Sequence, residues 1–320
     1  NKIKDYFEEA GEEALGREIS GEIEVQDKLE GAYNMNYPVS VGGEKFLMRI
    51  SPIRGGRYKE YEYKVLKLME GKNIGPVPYH LDTSRDFFDY PFLIEEWIQG
   101  DRIRKLSLKD MRDLAELFHK INSLESKELK DKRFSPENFA EKVSEQIEDY
   151  SERNVLDLEF FYDFEDLVPK LVNYMEERKG IFPQEEPIGL SNTDMKVRHI
   201  IRTDSGFKVV DWEYAGLDYG SHDIGEFFYH LNWRDLNSNE KKRREFVEEY
   251  KNLSCIKNLS ERTRVQEVVF SVAETLWCMN HMVDLRENKV PDSMMQGEKI
   301  ENYREIVERN IEWMSDRLNT

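Results

Sequence analysis

The spacing of hydrophobic and polar residues along the chain changes at about residue 100. Before it, a helical pattern over residues 2–15 is followed by short runs rich in β-type residues. These runs span residues 23–25, 37–41 and 46–50. The Gly42-Gly43 pair between the last two runs indicates a hairpin. The first part of the chain therefore predicts an antiparallel sheet preceded by a helix.

A further helix and a last strand complete this β-rich part. The helix is predicted over about residues 57–70. Its inward residues are expected to be Tyr61, Val65, Leu68 and Met69. An edge hairpin then leads into the apolar run 90–98, which ends before Gly100. A strand that ends in a glycine-bearing linker is what a hinge between two lobes requires.

Helical patterns dominate the remainder of the chain. The best marked covers residues 107–124, where Ser107 is the expected cap and Asp110 the acid of a capping box. Further helical segments are predicted at 136–152, 156–179, 226–231, 239–251, 260–286 and 297–318. We therefore predict an α+β fold with a small β-rich lobe, residues 1–98, and a larger, mostly helical lobe, residues 99–320.

Residues 190–228 carry the candidate chemistry. Ile200-Ile201, a turn at 204–206 and the apolar run 207–210 predict a hairpin. Asp194 precedes its first strand and Asp211 follows its second, so we expect both carboxylates to face one nucleotide-sized cleft between the lobes. One acid would take a hydroxyl proton and the other would hold magnesium. Asp is also a common turn and cap residue, so Asp194 alone is equally consistent with a backbone-capping role.

Composition narrows the classes of function. The net charge is -18, which disfavours nucleic acid and anionic membranes because phosphate neutralisation needs basic patches. Cys255 and Cys278 lack the spacing of a metal site and imply no disulfide framework. No apolar run approaches the ~20 residues that span a bilayer, and residues 1–5 lack a signal-peptide core. We expect a cytoplasmic monomer or homodimer without a nucleic-acid or membrane partner.

The stretch around Asp194 and Asp211 resembles the catalytic segment of the choline/ethanolamine kinase family, within the aminoglycoside-phosphotransferase group of kinase-like enzymes. That family shows His-Asn-Asp, four residues, Asn-Ile-hydrophobic, then a strand into Asp-(Phe/Trp)-Glu-Tyr and a later Asp-Ile-Gly. The corresponding residues here are Asn192-Thr193-Asp194, His199-Ile200-Ile201, Asp211-Trp212-Glu213-Tyr214 and Asp223-Ile224-Gly225. The resemblance implies a protein-kinase-like fold.

Roles for the acids follow from this resemblance. Asp194 would be the catalytic base, Asp211 the magnesium ligand and Asp223 a structural acid that supports the catalytic loop. The family's His falls on Asn192, and its metal-binding Asn falls on His199. Three outcomes stay open: His199 is a tolerated ligand, the metal rests mainly on Asp211 and the phosphates, or activity is reduced.

A nucleotide site is implied by the same resemblance. Its residues would be Gly31, Asn34, Arg49, Glu62, Glu96 and Ile98. Glu30 replaces the first glycine of the family's nucleotide-covering loop. The strand cation would hold the phosphates and pair with a helix acid, Glu62 or Glu60, and Glu62 fits the family spacing better. The carbonyl of Glu96 and the N–H of Ile98 would bind adenine.

The acceptor site is also implied by resemblance. Its candidate residues are Trp277, Glu274, His230, Glu213 and Tyr303. Trp277 matches a tryptophan of the family's aromatic box, which holds ammonium groups by cation–π contacts. A second box tryptophan falls on Glu274 and the usual substrate-binding acid on His230. Glu274 suits a primary or secondary amine, while Trp277 is equally consistent with ordinary helix core.

The resulting hypothesis is an ATP-dependent kinase for the hydroxyl of a choline- or ethanolamine-like amino alcohol. ATP and Mg²⁺, with Mn²⁺ as an alternative metal, would be its cofactors, and its partner would be a small-molecule alcohol. An aminoglycoside, a sugar or an amino-acid alcohol is the alternative acceptor. A degenerate member that binds nucleotide without catalysis is the non-enzymatic alternative, motivated by Asn192, His199 and Glu30.

Overall fold

The computed structural model of the chain describes residues 1–29, 34–52, 56–150, 153, 155–232, 239–289 and 300–319. The chain forms two compact units. The first unit contains Asn1–Arg104 and Val197–Ala215, and the second contains Lys105–Lys196 and Gly216–Thr320. The sequence-based division at residue 98 places 197–215 in the second lobe. The stretch groups with the first unit because its hairpin pairs with residues 101–102.

Strands occur mainly in the first unit and helices mainly in the second, so the predicted α+β class is confirmed. The strands are β1 (Ile23–Val25), β2 (Met35–Val41), β3 (Glu44–Ile50), β4 (Pro78–Asp82), β5 (Phe92–Glu96), β6 (Asp101–Arg102), β7 (Gly189–Ser191), β8 (Ile200–Thr203), β9 (Gly206–Val209) and β10 (Gly216–Asp218). The helices are α1 (Lys2–Leu15), α2 (Gly56–Met69), α3 (Leu108–Asn122), α4 (Pro136–Asp149), α5 (Phe161–Glu165), α6 (Val168–Glu176), α7 (Gly220–Asn232), α8 (Glu240–Leu253), α9 (Leu259–Arg286) and α10 (Ile300–Leu318).

An antiparallel sheet in the order β1-β2-β3-β5-β4 forms the centre of the first unit. Gly42 and Gly43 connect β2 to β3 with φ angles of 58° and 87°, a left-handed conformation that glycine adopts without steric cost. The predicted hairpin is therefore confirmed. The predicted first helix is also present, and its end is a left-handed cap at Gly16.

The two faces of this sheet differ in character. Successive side chains of a strand point to opposite faces. Phe46 and Met48 of β3 therefore join Phe7 of α1 in an apolar core, whereas Arg49 points to the other face. There it contacts Glu62 of α2. The apolar face holds the unit together, and the other face carries charge.

Helix α2 turns a mixed face inward. Its buried residues are Lys59, Glu62, Val65, Leu66 and Met69. These residues lie on one face of the helix, and two of them, Lys59 and Glu62, are charged. The buried stripe therefore differs from the purely apolar one expected from sequence. The prediction that Leu68 and Tyr61 point inward is wrong, because this spacing places Leu66 in the core and leaves the other two half-buried.

The hairpin of β8 and β9 pairs with β6 in the first unit. Thr203 is opposite Gly206, so the two turn residues are Asp204 and Ser205. The turn was predicted at 204–206. In the structure Gly206, with φ 123°, is instead the first residue of β9. The hairpin itself is confirmed. Asp211 lies just beyond its second strand, as predicted.

In the second unit, α7 and α10 pack against α9, and α3 packs against α8. Helix α3 has the predicted capping box: Ser107 Oγ accepts the Asp110 N–H at 3.1 Å, and the Asp110 carboxylate accepts the Ser107 N–H at 2.6 Å. The single helix predicted over 156–179 is wrong. It breaks into α5 and α6 because Pro169, which lacks an N–H, lies in the first turn of a new helix that begins at Val168. Among the described helices, none is both long and apolar enough to cross a bilayer.

Candidate active site

The loop that carries Asp194 is fixed by a buried carboxylate of α7. Asp223 accepts hydrogen bonds from Ser191 Oγ at 2.7 Å and from the backbone N–H groups of Asn192 and Thr193, both at 3.2 Å. The side chain of Asn122 on α3 donates to the same carboxylate at 3.0 Å. Four donors on one carboxylate fix the backbone just before Asp194. This geometry agrees with the supporting role that the resemblance implies for Asp223.

Asp194 itself is partly buried and lies beside a cation. Lys196 Nζ is 2.5 Å from Asp194 Oδ1. The backbone N–H of Asp194 donates to Asn192 Oδ1 at 3.2 Å, and Thr193 between them has φ 55°. Asn192, at the position of the family's His, therefore stabilises the turn. Lys196 was missed from sequence, although its place two residues after Asp194 could have drawn attention to it.

A second acid lies close to this loop. Glu226 of α7 is 2% exposed and accepts the backbone N–H of Met195, the residue after Asp194. Burial first and the charge of Asp194 second raise the pKa of Glu226 well above its ordinary value. His230, a predicted acceptor residue, places Nε2 3.7 Å from Glu226 Oε1. Glu226 was missed from sequence, although it directly follows the motif Asp223-Ile224-Gly225.

Arg49 is the centre of a buried charge cluster in the first unit. Its guanidinium donates to Glu62 and, at 2.8 Å, to Asp211 Oδ1. Glu95 Oε1 is 3.6 Å away. Glu60 is exposed, so the structure selects Glu62 of the two acids that the sequence offered. A strand cation thus joins a helix acid to the predicted metal ligand.

The acids around Arg49 differ in their tendency to ionise. Burial opposes ionisation of Asp211, but Arg49 and His199 hold its pKa below the ordinary value. Burial raises the pKa of Glu95 to about 7, although Arg49 opposes the shift. Glu95 Oε2 is buried, with no hydrogen-bond partner within the part of the chain that the structure describes. At neutral pH, Asp211 is the charged acid and Glu95 titrates.

Lys59 completes this cluster and was missed from sequence. It is 2% exposed, and its Nζ donates to Glu62 Oε2 at 2.7 Å. Burial and then the charge of Arg49 lower the pKa of Lys59, while Glu62 opposes the shift. The residue lies one helical turn before Glu62, a spacing that brings side chains together. That spacing was the signal available in the sequence.

Asp211 adopts a left-handed backbone conformation, with φ 65°. The next residue, Trp212, is fully buried and donates its Nε1–H to the carbonyl of Val209 at 2.8 Å. The turn therefore has a fixed shape. His199 Nε2 lies 3.6 Å from Asp211 Oδ2. The ionised carboxylate fits the oxygen preference of magnesium, and the imidazole nitrogen is a donor type that transition metals favour.

Two other predicted residues meet in the first unit. Asn34 Nδ2 donates to Glu213 Oε2 at 2.9 Å, and Ser51 donates to Asn34 Oδ1. Glu213 was grouped with the acceptor residues, but its structural partner is a residue assigned to the nucleotide. Gly31, the other loop residue assigned to the nucleotide, lies outside the described residues.

The predicted hinge lies at the end of β5. The Glu96 carboxylate accepts Lys208 Nζ at 3.0 Å, and the Glu96 N–H donates to the carbonyl of Val77 at 2.8 Å. Ile98 is half-buried. The adenine-binding roles of the Glu96 carbonyl and the Ile98 N–H stay predictions.

An aromatic group in the second unit contains two predicted acceptor residues and one that was missed. Trp277 stacks on His281 with ring centroids 4.8 Å apart and planes 10° apart. Tyr303 meets both rings edge-on, at 5.7 Å and 4.9 Å. Trp277 is 37% exposed, so it is not buried helix core. His281 follows Trp277 by four residues, the helical spacing that could have indicated it.

Glu274, one turn before Trp277, already has several partners. Tyr229 donates its hydroxyl to this carboxylate, Asn310 Nδ2 donates at 3.3 Å, and Arg309 Nη2 lies 3.6 Å away. Its charge is therefore partly neutralised by the protein. This favours a supporting role in the acceptor site over direct capture of an amine.

Solved structures similar to this chain include choline and ethanolamine kinases and an aminoglycoside phosphotransferase. An ethanolamine kinase from Plasmodium vivax is 18% identical, with 96% of this chain and 86% of that chain covered and a TM-score of 0.67. The choline kinase LicA from Streptococcus pneumoniae is 15% identical, with 99% and 100% covered and a TM-score of 0.67. A structure of LicA in complex with AMP also matches, at 16% identity, 98% and 97% coverage and a TM-score of 0.58. These likenesses show that the chain has a kinase-like fold.

The family follows from a sequence comparison. The family model described as choline/ethanolamine kinase matches residues 43–285, more than half of the chain. The chain belongs to the choline/ethanolamine kinase family, and it is a small-molecule kinase. No curated protein sequence matches. The resemblance and the kinase-like fold that it implied are thus confirmed.

Proposed function

We propose that the protein transfers the γ-phosphate of ATP to the hydroxyl of a choline- or ethanolamine-like amino alcohol. The observation that carries this proposal is the position of Arg49, which bonds the helix acid Glu62 and the predicted metal ligand Asp211 at once. In kinases, a strand cation paired with a helix acid binds nucleotide phosphates, and a nearby Asp holds the metal.

Nucleotide binding would involve residues of the first unit. Arg49, oriented by Glu62, would contact the phosphates. Asn34, held by Ser51 and Glu213, would contact the nucleotide beside it. Family membership and the AMP complex of LicA support this assignment. The Glu96 carbonyl and the Ile98 N–H would bind adenine.

A divalent cation would be held by Asp211, with His199 as a second ligand. When bound, magnesium supplies positive charge that stabilises the phosphates during transfer. The residues of the chain provide the rest: Asp211 is ionised at neutral pH and fixed by its backbone. Manganese suits the imidazole of His199 better than magnesium does.

Proton transfer would be the task of Asp194. Its carboxylate would orient the alcohol and accept the hydroxyl proton as the oxygen attacks phosphorus. Lys196 lies 2.5 Å from that carboxylate and would fix its direction. Asp223 would hold the loop in place. That Asp194 and Asp211 face one cleft stays a prediction.

The amine of the acceptor would bind against aromatic rings. Trp277 is exposed and stacked on His281, with Tyr303 at its edge. Such faces attract ammonium groups through cation–π contacts worth about 0.5–2 kcal/mol. Glu274 and His230 would support this site from neighbouring turns. The names of the two related kinases, for ethanolamine and for choline, favour this substrate class.

The test is ATP consumption with a panel of alcohols that contains choline, ethanolamine, its methylated forms, sugars and an aminoglycoside. We expect turnover with an amino alcohol and a loss of about 100-fold or more in kcat for Asp194→Asn, as for other general bases. Turnover with sugars alone would overturn the substrate class. Nucleotide binding without any turnover would favour the non-catalytic alternative.

A further inference from the structure

A buried lysine next to the phosphate-binding pair has no role in the function described so far. Lys59 of α2 is 2% exposed, and its partner Glu62 is fully buried. The two oxygens of Glu62 serve two cations, because Oε1 accepts Arg49 and Oε2 accepts Lys59. One carboxylate therefore accepts hydrogen bonds from two cations at this point.

Within the described residues, the Lys59 ammonium group makes one hydrogen bond. An ammonium group has three N–H donors. Over the residues that the structure describes, its acceptor is Glu62 Oε2 alone, at 2.7 Å. Buried donors without acceptors are costly. The remaining donors of Lys59 therefore favour a ligand that has acceptor oxygens. Phosphate oxygens are strong acceptors of this kind.

The charge around Lys59 points to the same kind of ligand. Arg49 shares Glu62 with Lys59 and turns its other nitrogen to Asp211. Glu95 Oε1 lies 3.6 Å from Arg49 Nη1, and the charge of Glu213 acts on both Arg49 and Lys59. Burial raises the pKa of Glu95 to about 7, so its carboxyl group is only partly charged at neutral pH. Among the described residues, Lys59 has one acid within hydrogen-bond distance and shares it with Arg49, an arrangement that suits an anionic ligand.

A second lysine–glutamate pair, at the C-terminal end of α2, shows that the spacing alone does not explain this burial. Lys67 and Glu70 are also three residues apart, with Lys67 Nζ 3.2 Å from Glu70 Oε2, but their side chains are 41% and 46% exposed. An exposed pair costs little to form and contributes little. Burial of a lysine costs far more, which a ligand contact would justify.

We propose that Lys59 is a second phosphate-binding cation, which acts beside Arg49 on the phosphates of the bound nucleotide. The proposal rests on the nucleotide binding put forward above and adds a residue to it. Arg49 and Lys59, held by one acid, would present two positive charges to the phosphate chain. Lys59 is then a binding residue rather than a support for Glu62.

The test measures the affinity of the full-length protein for ATP, ADP and adenosine. Lys59→Met removes the charge and keeps the length of the side chain. We expect it to weaken ATP and ADP binding by about tenfold or more, the usual size of a charged hydrogen bond, and to leave adenosine binding unchanged. Lys59→Arg should recover most of the affinity, and Lys67→Met should behave like the wild type.

The outcomes separate this proposal from the one on which it rests. Wild-type protein that fails to bind ATP would refute both. Wild-type binding with equal ATP affinity in Lys59→Met, or equal weakening for ATP and adenosine, would refute only the role of Lys59. Thermal melting checks the fold of each variant. If the methionine is not tolerated, Lys59→Gln removes the charge but keeps a donor to Glu62, and the same nucleotide series applies.

Discussion

Glu62 is the residue whose replacement tests the charge cluster most directly. It is fully buried, and it is the shared partner of Arg49 and Lys59. Glu62→Gln keeps the size of the side chain but removes the acid that the two buried cations share, so Lys59 loses its ion pair and Arg49 keeps only those with Asp211 and Glu95. Breaking a buried ion pair by removing one partner destabilises proteins by about 3–5 kcal/mol. We therefore expect the free energy of unfolding to fall by an amount in this range.

The assay is urea unfolding followed by tryptophan fluorescence and circular dichroism. Trp212 is fully buried in the same unit and reports on its unfolding. Glu60→Gln is the matched control, because Glu60 lies on the same helix but is exposed, and surface changes of this kind stay within about 0.5 kcal/mol. If Glu62→Gln unfolds at the same urea concentration as Glu60→Gln, the reasoning about the shared carboxylate is refuted.

Four further predictions follow from other sites. The pKa of Glu95 is raised to about 7, so its protonated form stabilises the fold below the ordinary pKa, and this contribution is lost as pH rises through 7. In urea unfolding, the free energy of unfolding of Glu95→Gln should rise by about 3 kcal/mol relative to that of the wild type as the pH increases from 4.5 to 8. A difference between the two proteins that does not change with pH would contradict this. Asp223→Ala leaves the donors of the catalytic loop without an acceptor; kcat should fall at least about 100-fold while ATP affinity is kept, and full activity would exclude the supporting role. His199→Asn should lower the ratio of manganese- to magnesium-supported activity, whereas an unchanged ratio removes His199 from the metal site. Trp277→Ala should raise KM for the amino alcohol by roughly 2- to 30-fold and leave KM for ATP unchanged; equal shifts in both would point to a structural role.

Elements that are determined by residues close together in the sequence were predicted correctly. The hairpin of β8 and β9 follows from its apolar runs and its short turn, and the capping box of α3 follows from Ser107 and Asp110. The fold class was also accessible, because the spacing of apolar residues changes from strand to helix along the chain. Pro169 also signalled the break between α5 and α6, but the apolar pattern continues across it, so the boundary was missed.

The residues missed in the site have a common cause. Lys59, Lys196, Glu226 and His281 are ordinary polar residues on helices or loops, and helices carry many such residues on their solvent side. Their importance comes from burial and from partners that tertiary packing brings close. Sequence spacing shows which residues share a helical face, but only packing shows whether that face turns inward. For the same reason, the sequence alone could not decide between Glu60 and Glu62 as the partner of Arg49.

The left-handed backbone at Asp211 restricts how this position can change during evolution. Among residues other than glycine, Asp and Asn adopt that conformation most readily, whereas β-branched residues are strongly disfavoured there. Substitution by Asn therefore keeps the turn beside Trp212 while it removes the negative charge. A relative of this kinase that drifts toward a non-catalytic role has a structurally mild path through that one exchange. On the proposed metal-binding role of Asp211, Asn at this position in a homologue would mark lost phosphotransfer in an otherwise intact fold.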